Sequence, residues 1–139
     1  KLKDFYLGYK QLAKSEDEYI TTIRFRKPTG DFRFNFEKVS KRTYLDISTA
    51  NTAISFYLDD RVIRDAHVSA GGVAPIPLYL KQTSEFLRRQ KVSEETIAAA
   101  NEIMQSEISP ISDVRGTEQY KRLLLRHLFR AHFVEMFNV

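Results

Sequence analysis

The stretch DFRFNFEK, residues 31–38, has a phenylalanine at every second position, and this alternation constrains the fold more than any other feature of the chain. Phe32, Phe34 and Phe36 share one side, and a polar or charged residue separates each from the next. Because successive side chains of a β-strand point to opposite faces of the sheet, the pattern predicts a half-buried strand whose apolar face is formed by the phenylalanines. The fold must therefore contain a sheet.

Three further segments are typical of strands. Residues 19–26, YITTIRFR, are rich in β-branched and aromatic side chains and are followed by a turn over residues 27–30, KPTG. Apolar residues alternate again over residues 54–58, and the pair Asp59-Asp60 forms a turn into a strand over residues 62–70. The first half of the chain is thus predicted to form three or four antiparallel strands.

From Leu78 onward the spacing of the apolar residues becomes helical. We predict one helix from Leu78 to about Gln90, a second that follows an N-cap at Ser93 and ends before Pro110, and a third over residues 117–137. The apolar stripe of the third helix is predicted to comprise Tyr120, Leu124, Leu128, Ala131 and Val134. Strands that precede helices rather than alternate with them indicate an α+β fold, with a three- to four-stranded antiparallel sheet and three helices packed on one face.

Composition excludes several classes of protein. The 139 residues suit one domain, and 42% apolar residues with only five glycines and four prolines argue against disorder. No apolar run is long enough to span a bilayer, and without cysteine the chain can hold neither a disulfide nor a cysteine-ligated zinc or iron–sulfur cluster. The net charge of +4 suggests solubility rather than nucleic-acid binding. Because Lys1 follows neither an initiator methionine nor a signal peptide, we expect it to be a cut end.

No catalytic set of residues emerges from the spacing. His127 and His132 lie five residues apart, so they do not share a helix face, and His67 falls on a predicted strand. We interpret His127 as a histidine at the edge of the core that bonds a carbonyl, and we assign no metal site and no catalytic residue. Gly71-Gly72 is interpreted as a tight corner rather than a phosphate loop, because two prolines follow closely and remove N–H donors.

Three arginines form a ridge on the third predicted helix. Arg122, Arg126 and Arg130 recur at intervals of four residues. Such a ridge either keeps an amphipathic helix solvated or docks an acidic surface of a partner, since arginine is enriched at interfaces. Both interpretations stay open at this point.

Taken in order, the motifs of the chain resemble those of one known family. They are DFYLGYK at 4–10, DEYITTI at 17–23, FEKVSKR at 36–42, LDIS at 45–48, GGVAP at 71–75, and PISDVRG at 110–116 with Tyr120 and Arg122. They resemble the end of the FAD-binding subunit or region of the molybdenum hydroxylases, which include xanthine dehydrogenase and the aerobic carbon monoxide dehydrogenase.

The resemblance implies a division of labour. In this family a molybdopterin centre oxidises the substrate, two [2Fe–2S] clusters carry electrons, and a flavin domain passes them to NAD or another acceptor. This chain would be the C-terminal α+β domain at residues 17–139, with residues 1–16 leading in from an upstream domain that binds most of the FAD. Its expected partners are that domain, the iron–sulfur and molybdopterin subunits or domains, and the acceptor. We expect a cytoplasmic location, with neither nucleic acid nor membrane as a partner.

The resemblance also implies four cofactor-binding residues. An apolar side chain that packs against the flavin falls on Ile20, with Tyr19 beside it. A lysine near the isoalloxazine ring falls on Lys38, although some members carry it one position earlier, where this chain has Glu37. A positive charge there would stabilise negative charge on the reduced ring. Asp46 lies in a loop that in the family runs near the flavin and influences access of the acceptor, or else it is an ordinary turn residue.

A second function from another class is a non-catalytic module for subunit assembly, which would dock a partner through its sheet face and its arginine ridge. Lys38 and Ile20 distinguish the two hypotheses. If both point to one concave, solvent-open edge of the sheet, flavin contact is favoured, whereas burial in the domain's own core would favour the assembly module.

Overall fold

The computed structural model describes all residues from Lys1 to Val139, and its main sheet has four antiparallel strands that lie side by side in chain order. Their bounds are β3 Phe32–Val39, β4 Ala50–Asp59, β5 Val62–Gly71 and β6 Leu78–Tyr79. The hairpin between β4 and β5 turns at Asp60, which has a positive φ of 56°, as the Asp59-Asp60 pair predicted. The antiparallel sheet is therefore confirmed.

The chain before this sheet is organised differently from the prediction. A short 3₁₀ turn, Leu2–Asp4, precedes a two-stranded sheet of β1 Tyr6–Gly8 and β2 Gln11–Leu12. The strand predicted at residues 19–26 is wrong, because this stretch pairs with no other strand and every residue from 13 to 31 is exposed. Strand propensity reflects packing on a pleated surface, and here the domain supplies no such surface.

The two faces of the main sheet are assigned oppositely to the sequence prediction at β3. The register pairs Arg33 with Phe56 and Phe34 with Ser55. Since Phe56 is buried against the helices, Arg33 shares the helix-covered face and the phenylalanines of β3 lie on the open face. Phe34 is 60% exposed and Phe36 is 51% exposed. The strand itself is confirmed, but burial of its apolar side is wrong, because the register with β4 and not hydrophobicity decides which side meets the helices.

Three helices follow, and all three pack on one face of the sheet. They are α1 Lys81–Leu87, α2 Glu94–Glu107 and α3 Glu118–Phe137. Helix α1 begins three residues later than predicted because Leu78 and Tyr79 pair with β5. Helix α2 begins at the predicted N-cap, where the Ser93 side chain accepts a hydrogen bond from the backbone N–H of Thr96.

Helix α3 buries a stripe that is rotated from the predicted one. Its buried residues are Lys121, Leu125, Leu128, Phe129, His132 and Phe133. Of the predicted stripe Leu128 is buried, whereas Tyr120 and Val134 are exposed. The helix turns Phe133 toward the sheet, where its ring centroid lies 5.5 Å from that of Phe56. Aromatic packing at this contact explains the rotation.

Polar contacts complete the core around the loop before α3. Lys121 is almost entirely buried, and its Nζ lies 2.8 Å from a carboxylate oxygen of Asp113 and donates to the carbonyl of Ile111 at 2.8 Å. Gly72, with a φ of +79°, turns the chain where a Cβ would lie 2.5 Å from the carbonyl oxygen of Thr49.

None of the three helices is both long enough and apolar enough to cross a bilayer.

Candidate functional site

Lys38 and Asp46, two of the four predicted cofactor-binding residues, meet at the end of β3. Lys38 lies on the same face as Phe34 and Phe36, and its Nζ donates a hydrogen bond to the backbone carbonyl of Asp46 at 2.7 Å. The Lys38 side chain is exposed on the open face of the sheet. The Lys38 side chain therefore shares its face with exposed phenylalanines, and its ammonium has no acidic side chain as a partner.

The Asp46 side chain holds the shape of its own loop. Its carboxylate accepts a hydrogen bond from the backbone N–H of Arg42 at 2.9 Å and lies 3.6 Å from the Arg42 guanidinium. The backbone hydrogen bond from Arg42, with the charge of that residue, lowers the pKa of Asp46 below its ordinary value. Leu45, which adopts a positive φ of 49°, is carried outward at the tip of this loop. Asp46 thus acts as a turn residue and also positions an exposed apolar tip.

Tyr19 and Ile20, the other predicted pair, lie on the unpaired extended stretch. Tyr19 is 82% exposed and Ile20 is 58% exposed. They line a shallow groove with Phe5 and Lys14, among others. No hydrogen bond, ion pair or shared groove joins them to Lys38 or Asp46. The structure therefore brings together one predicted pair at the sheet and the other pair at the N-terminal segment.

Glu37, the alternative position for the family's lysine, points away from the open face. It pairs in register with Thr52, which is buried beneath the helices. Its carboxylate accepts a hydrogen bond from Nδ2 of Asn35 at 2.7 Å. Of the two adjacent positions, the one occupied by Lys38 is open to a ligand on the exposed face.

A polar cluster on the far edge of the open face is absent from the sequence predictions. His67 Nδ1 lies 2.8 Å from the Tyr79 hydroxyl, and its Nε2 lies 3.4 Å from the Asp65 carboxylate. Arg88 contacts the same carboxylate at 2.8 Å. Asp65 and His67 alternate on β5, so period two could have placed them on one face, but the short strand that carries Tyr79 was predicted to be helix.

The two histidines of α3 differ in burial. His127 is exposed, so its interpretation as a histidine at the edge of the core is wrong. His132 is buried, its Nε2 lies 2.6 Å from Thr52 Oγ1, and burial lowers its pKa to about 4. No group of three or more histidine, aspartate or glutamate side chains is arranged to hold a metal ion.

The arginine ridge is neither a free solvated face nor a free docking surface. Arg126 pairs with Glu102 and Arg130 pairs with Glu94, both on α2. Arg122 donates to the carbonyl of Gln105 at the end of α2 at 2.9 Å. The ridge joins α2 to α3, which removes the main support for docking an acidic partner there.

Comparison with known proteins gives the family. The model of the CO dehydrogenase flavoprotein C-terminal domain matches residues 36–136, which is more than half of the chain. The chain therefore belongs to this family, and the C-terminal domain of the FAD-binding subunit or region of molybdenum hydroxylases, to which the motifs pointed, is confirmed.

Individual relatives agree with this assignment. The chain is 29% identical to xanthine dehydrogenase 1 of Arabidopsis thaliana over 99% of its own length and 10% of that protein. It is 26% identical to the nicotine 6-hydroxylase medium subunit of Paenarthrobacter nicotinovorans over 95% of its length and 46% of that subunit. The chain thus spans about half of such a medium subunit and a tenth of a xanthine dehydrogenase.

Solved structures confirm the fold. The carbon monoxide dehydrogenase from Hydrogenophaga pseudoflava superposes with a TM-score of 0.87 at 22% identity, over 92% of this chain and 44% of that chain. A reconstituted CO dehydrogenase from Oligotropha carboxidovorans gives a TM-score of 0.86 at 22% identity, over 93% of this chain and 45% of that chain. The predicted α+β architecture is therefore confirmed by these solved structures.

Proposed function

We propose that this domain closes one side of a flavin site in a molybdenum- and iron–sulfur-containing oxidoreductase of the xanthine dehydrogenase kind. In that enzyme FAD would pass electrons from [2Fe–2S] clusters to NAD or another acceptor. An upstream domain would bind most of the FAD, and partner subunits or domains would hold the clusters and the molybdopterin. The domain would have no activity alone. A cytoplasmic location and the boundary between residues 16 and 17 stay predictions.

The names of the relatives support the oxidoreductase assignment. They include xanthine dehydrogenases, in which this domain corresponds to a tenth of the chain, and medium subunits of hydroxylating and dehydrogenating enzymes, in which it corresponds to about half. Because this chain contains no cysteine, it supplies no thiolate to an iron–sulfur cluster. Support for a role beside the flavin comes from the family, which is a flavoprotein C-terminal domain.

The position of Lys38 on the open face of the sheet is the observation that carries the proposal. Its side chain lies on the open face of the sheet that also carries Phe36, and its ammonium donates a hydrogen bond to the carbonyl of Asp46 at 2.7 Å. An isoalloxazine ring has a flat aromatic body and a polar pyrimidine end, and this combination of exposed aromatic surface and a cation suits both parts. The residues present therefore fit the flavin ring.

Each residue has a defined task in the proposed site. Bound FAD supplies the redox chemistry, as cofactors do. Lys38 would place a positive charge at the pyrimidine end and favour the reduced, negatively charged ring. Asp46 would orient Lys38 and hold the tip at Leu45, which limits how an acceptor approaches. Ile20, with Tyr19, would cover apolar ring surface and exclude water.

The alternative function, a module for subunit assembly only, has less support. It relied on the sheet face and on the arginine ridge: the sheet face is open, but the arginines are engaged by α2. Lys38 and Ile20 meet neither condition set for them: neither is buried in the domain's own core, and they do not share an edge of the sheet, because Ile20 lies on no strand.

The test is a Lys38→Gln substitution in the complete flavoprotein. We expect the fold to be kept and the flavin potential to become more negative, because a charge that favours the reduced ring has been removed. Potentials and flavin content are measured by spectroelectrochemistry and absorbance. Lys81→Gln, which removes an exposed lysine from α1, is the matched control and should change neither.

Glu37→Gln decides between the two adjacent positions. If this variant moves the potential while Lys38→Gln does not, the family's lysine position falls on residue 37 and the role given to Lys38 is wrong. If none of the variants changes the potential or the flavin content, the flavin-capping role of this strand is refuted.

A further inference from the structure

Residues 19–26, hereafter the 19–26 segment, have the composition of a strand without being one in this domain. Side chains alternate along YITTIRFR, with Tyr19, Thr21, Ile23 and Phe25 on one side. All are exposed, with Ile23 at 76% and Phe25 at 87%. Large apolar side chains that are exposed in a contiguous run mark an interaction site.

The backbone of the segment is equally unpartnered. Seventy-one backbone hydrogen bonds join the chain, and none of those outside the helices and strands involves a residue from 19 to 26. The segment itself belongs to no helix or strand. A row of free N–H and C=O groups with apolar side chains is a template for pairing with another strand. The segment therefore lacks both kinds of partner that a strand needs.

The 19–26 segment does not pair with strand β3, although the short connection between them would allow a hairpin. Strand β3 lies at an edge of the main sheet, and only the turn over residues 27–30 and Asp31 separate it from the segment. A hairpin between the two is the shortest connection available, yet no pairing joins them. If the segment forms a strand, its partner therefore lies outside this domain.

We propose that the 19–26 segment is a β-strand that joins the edge of a sheet in the upstream, flavin-binding half of the protein. This inference rests on the proposed function, which supplies that half. The medium subunits that the chain resembles are about twice its length, and the family matched is a C-terminal domain, so their remaining length precedes it. The match begins at residue 36 and leaves the segment outside the family domain.

The proposal moves the domain boundary. The first buried residue of the chain is Thr49, and everything from residue 13 to residue 31 is exposed. The α+β unit then begins at Asp31, and the turn over residues 27–30 is the link, rather than residues 16 and 17. Tyr19 and Ile20 would be held by the upstream sheet, whereas Lys38 and Asp46 belong to the cap, so the two pairs approach the flavin from two domains.

Hydrogen–deuterium exchange tests the proposal, with the 139-residue chain compared with the full-length flavoprotein. The amides of the segment should exchange at unprotected rates in the short chain and on the order of a hundredfold more slowly in the full-length protein. Unprotected amides in a full-length protein that contains flavin would overturn the inference and leave the proposed function intact. Protected amides in a full-length protein that contains no flavin would support the inference and overturn the proposed function.

Other pairing partners of the 19–26 segment would give different exchange results. Protection that appears in the 139-residue chain alone and rises with its concentration would assign the segment to a second copy of this chain and overturn the proposal. Thr21→Pro and Thr22→Pro remove adjacent N–H donors, so at least one should abolish protection of the segment in the full-length protein. Lys27→Pro, in the turn, is the matched control. Unchanged protection in both threonine variants would also overturn the proposal.

Discussion

The buried histidine of α3 makes the stability of the domain depend on pH. His132 has no exposed surface, bonds Thr52 through Nε2, and leaves its Nδ1 buried without a partner. Its pKa is lowered by burial from 6.5 to about 4. The unfolded chain therefore binds a proton between these pH values and the folded chain does not, so the free energy of unfolding falls as the pH is lowered from about 6.5 to about 4.

The size of the effect follows from the shift. Between pH 7 and pH 5 the free energy of unfolding should fall by about 2 kcal/mol on account of this one group, and by about 3 kcal/mol in all below pH 4. Four carboxyl groups also have lowered pKa values, namely Asp46, Glu95, Glu102 and Asp113. Their contributions are present above their unfolded pKa values and are lost only as the pH falls below about 4.5, so the interval from pH 5 to pH 7 isolates the histidine.

Urea denaturation at pH 7, 6 and 5 measures the effect. His132→Gln removes the titrating group while its amide can still bond Thr52, and the variant should lose most of the pH dependence. His127→Gln alters an exposed histidine of the same helix and should keep it. Parallel pH profiles for the wild type and His132→Gln would refute the reasoning.

Four further substitutions test the packing and the helix capping of the domain by urea denaturation. Phe129→Ala should cost about 3–5 kcal/mol, because the side chain is entirely buried, whereas Phe34→Ala on the open face should change stability by less than about 1 kcal/mol; equal costs would mean that the open face is covered. Gly72→Ala should destabilise by about 1–3 kcal/mol, since a Cβ would meet the Thr49 carbonyl at a positive φ, and an unchanged midpoint would contradict this. Ser93→Ala should cost about 1 kcal/mol through loss of the α2 N-cap, and a variant as stable as the wild type would refute the cap.

Local patterns predicted the elements that depend on local chemistry. The N-cap of α2 at Ser93, the start of α3 near Thr117, the β4–β5 turn and the alternation of β3 all follow from neighbouring residues, and all are present. Strand register and helix rotation depend on distant partners. The register of β3 against β4 turned its phenylalanines outward, and the contact of Phe133 with Phe56 rotated α3 by about one position.

At the candidate site, too, local patterns predicted some features, whereas others depend on distant contacts. Period two placed Lys38 on the side of the phenylalanines, and the structure keeps it there. Its contact with the Asp46 carbonyl depends on how the loop folds back, which no local pattern encodes. Residues 19–26 show the opposite case, because their strand-like pattern finds no partner within the domain and forms no strand there.

The central claim is that this domain closes a flavin site made mostly by upstream residues. The most direct measurement compares FAD affinity and the quenching of flavin fluorescence by iodide in the full-length flavoprotein and in a version that lacks Asp31 and all residues after it. The 139-residue chain is titrated with FAD alongside. The account predicts shielded flavin in the full-length protein, weaker binding with more exposed flavin after truncation, and no tight binding by the 139-residue chain alone. Equal affinity and equal quenching with and without the domain would contradict it.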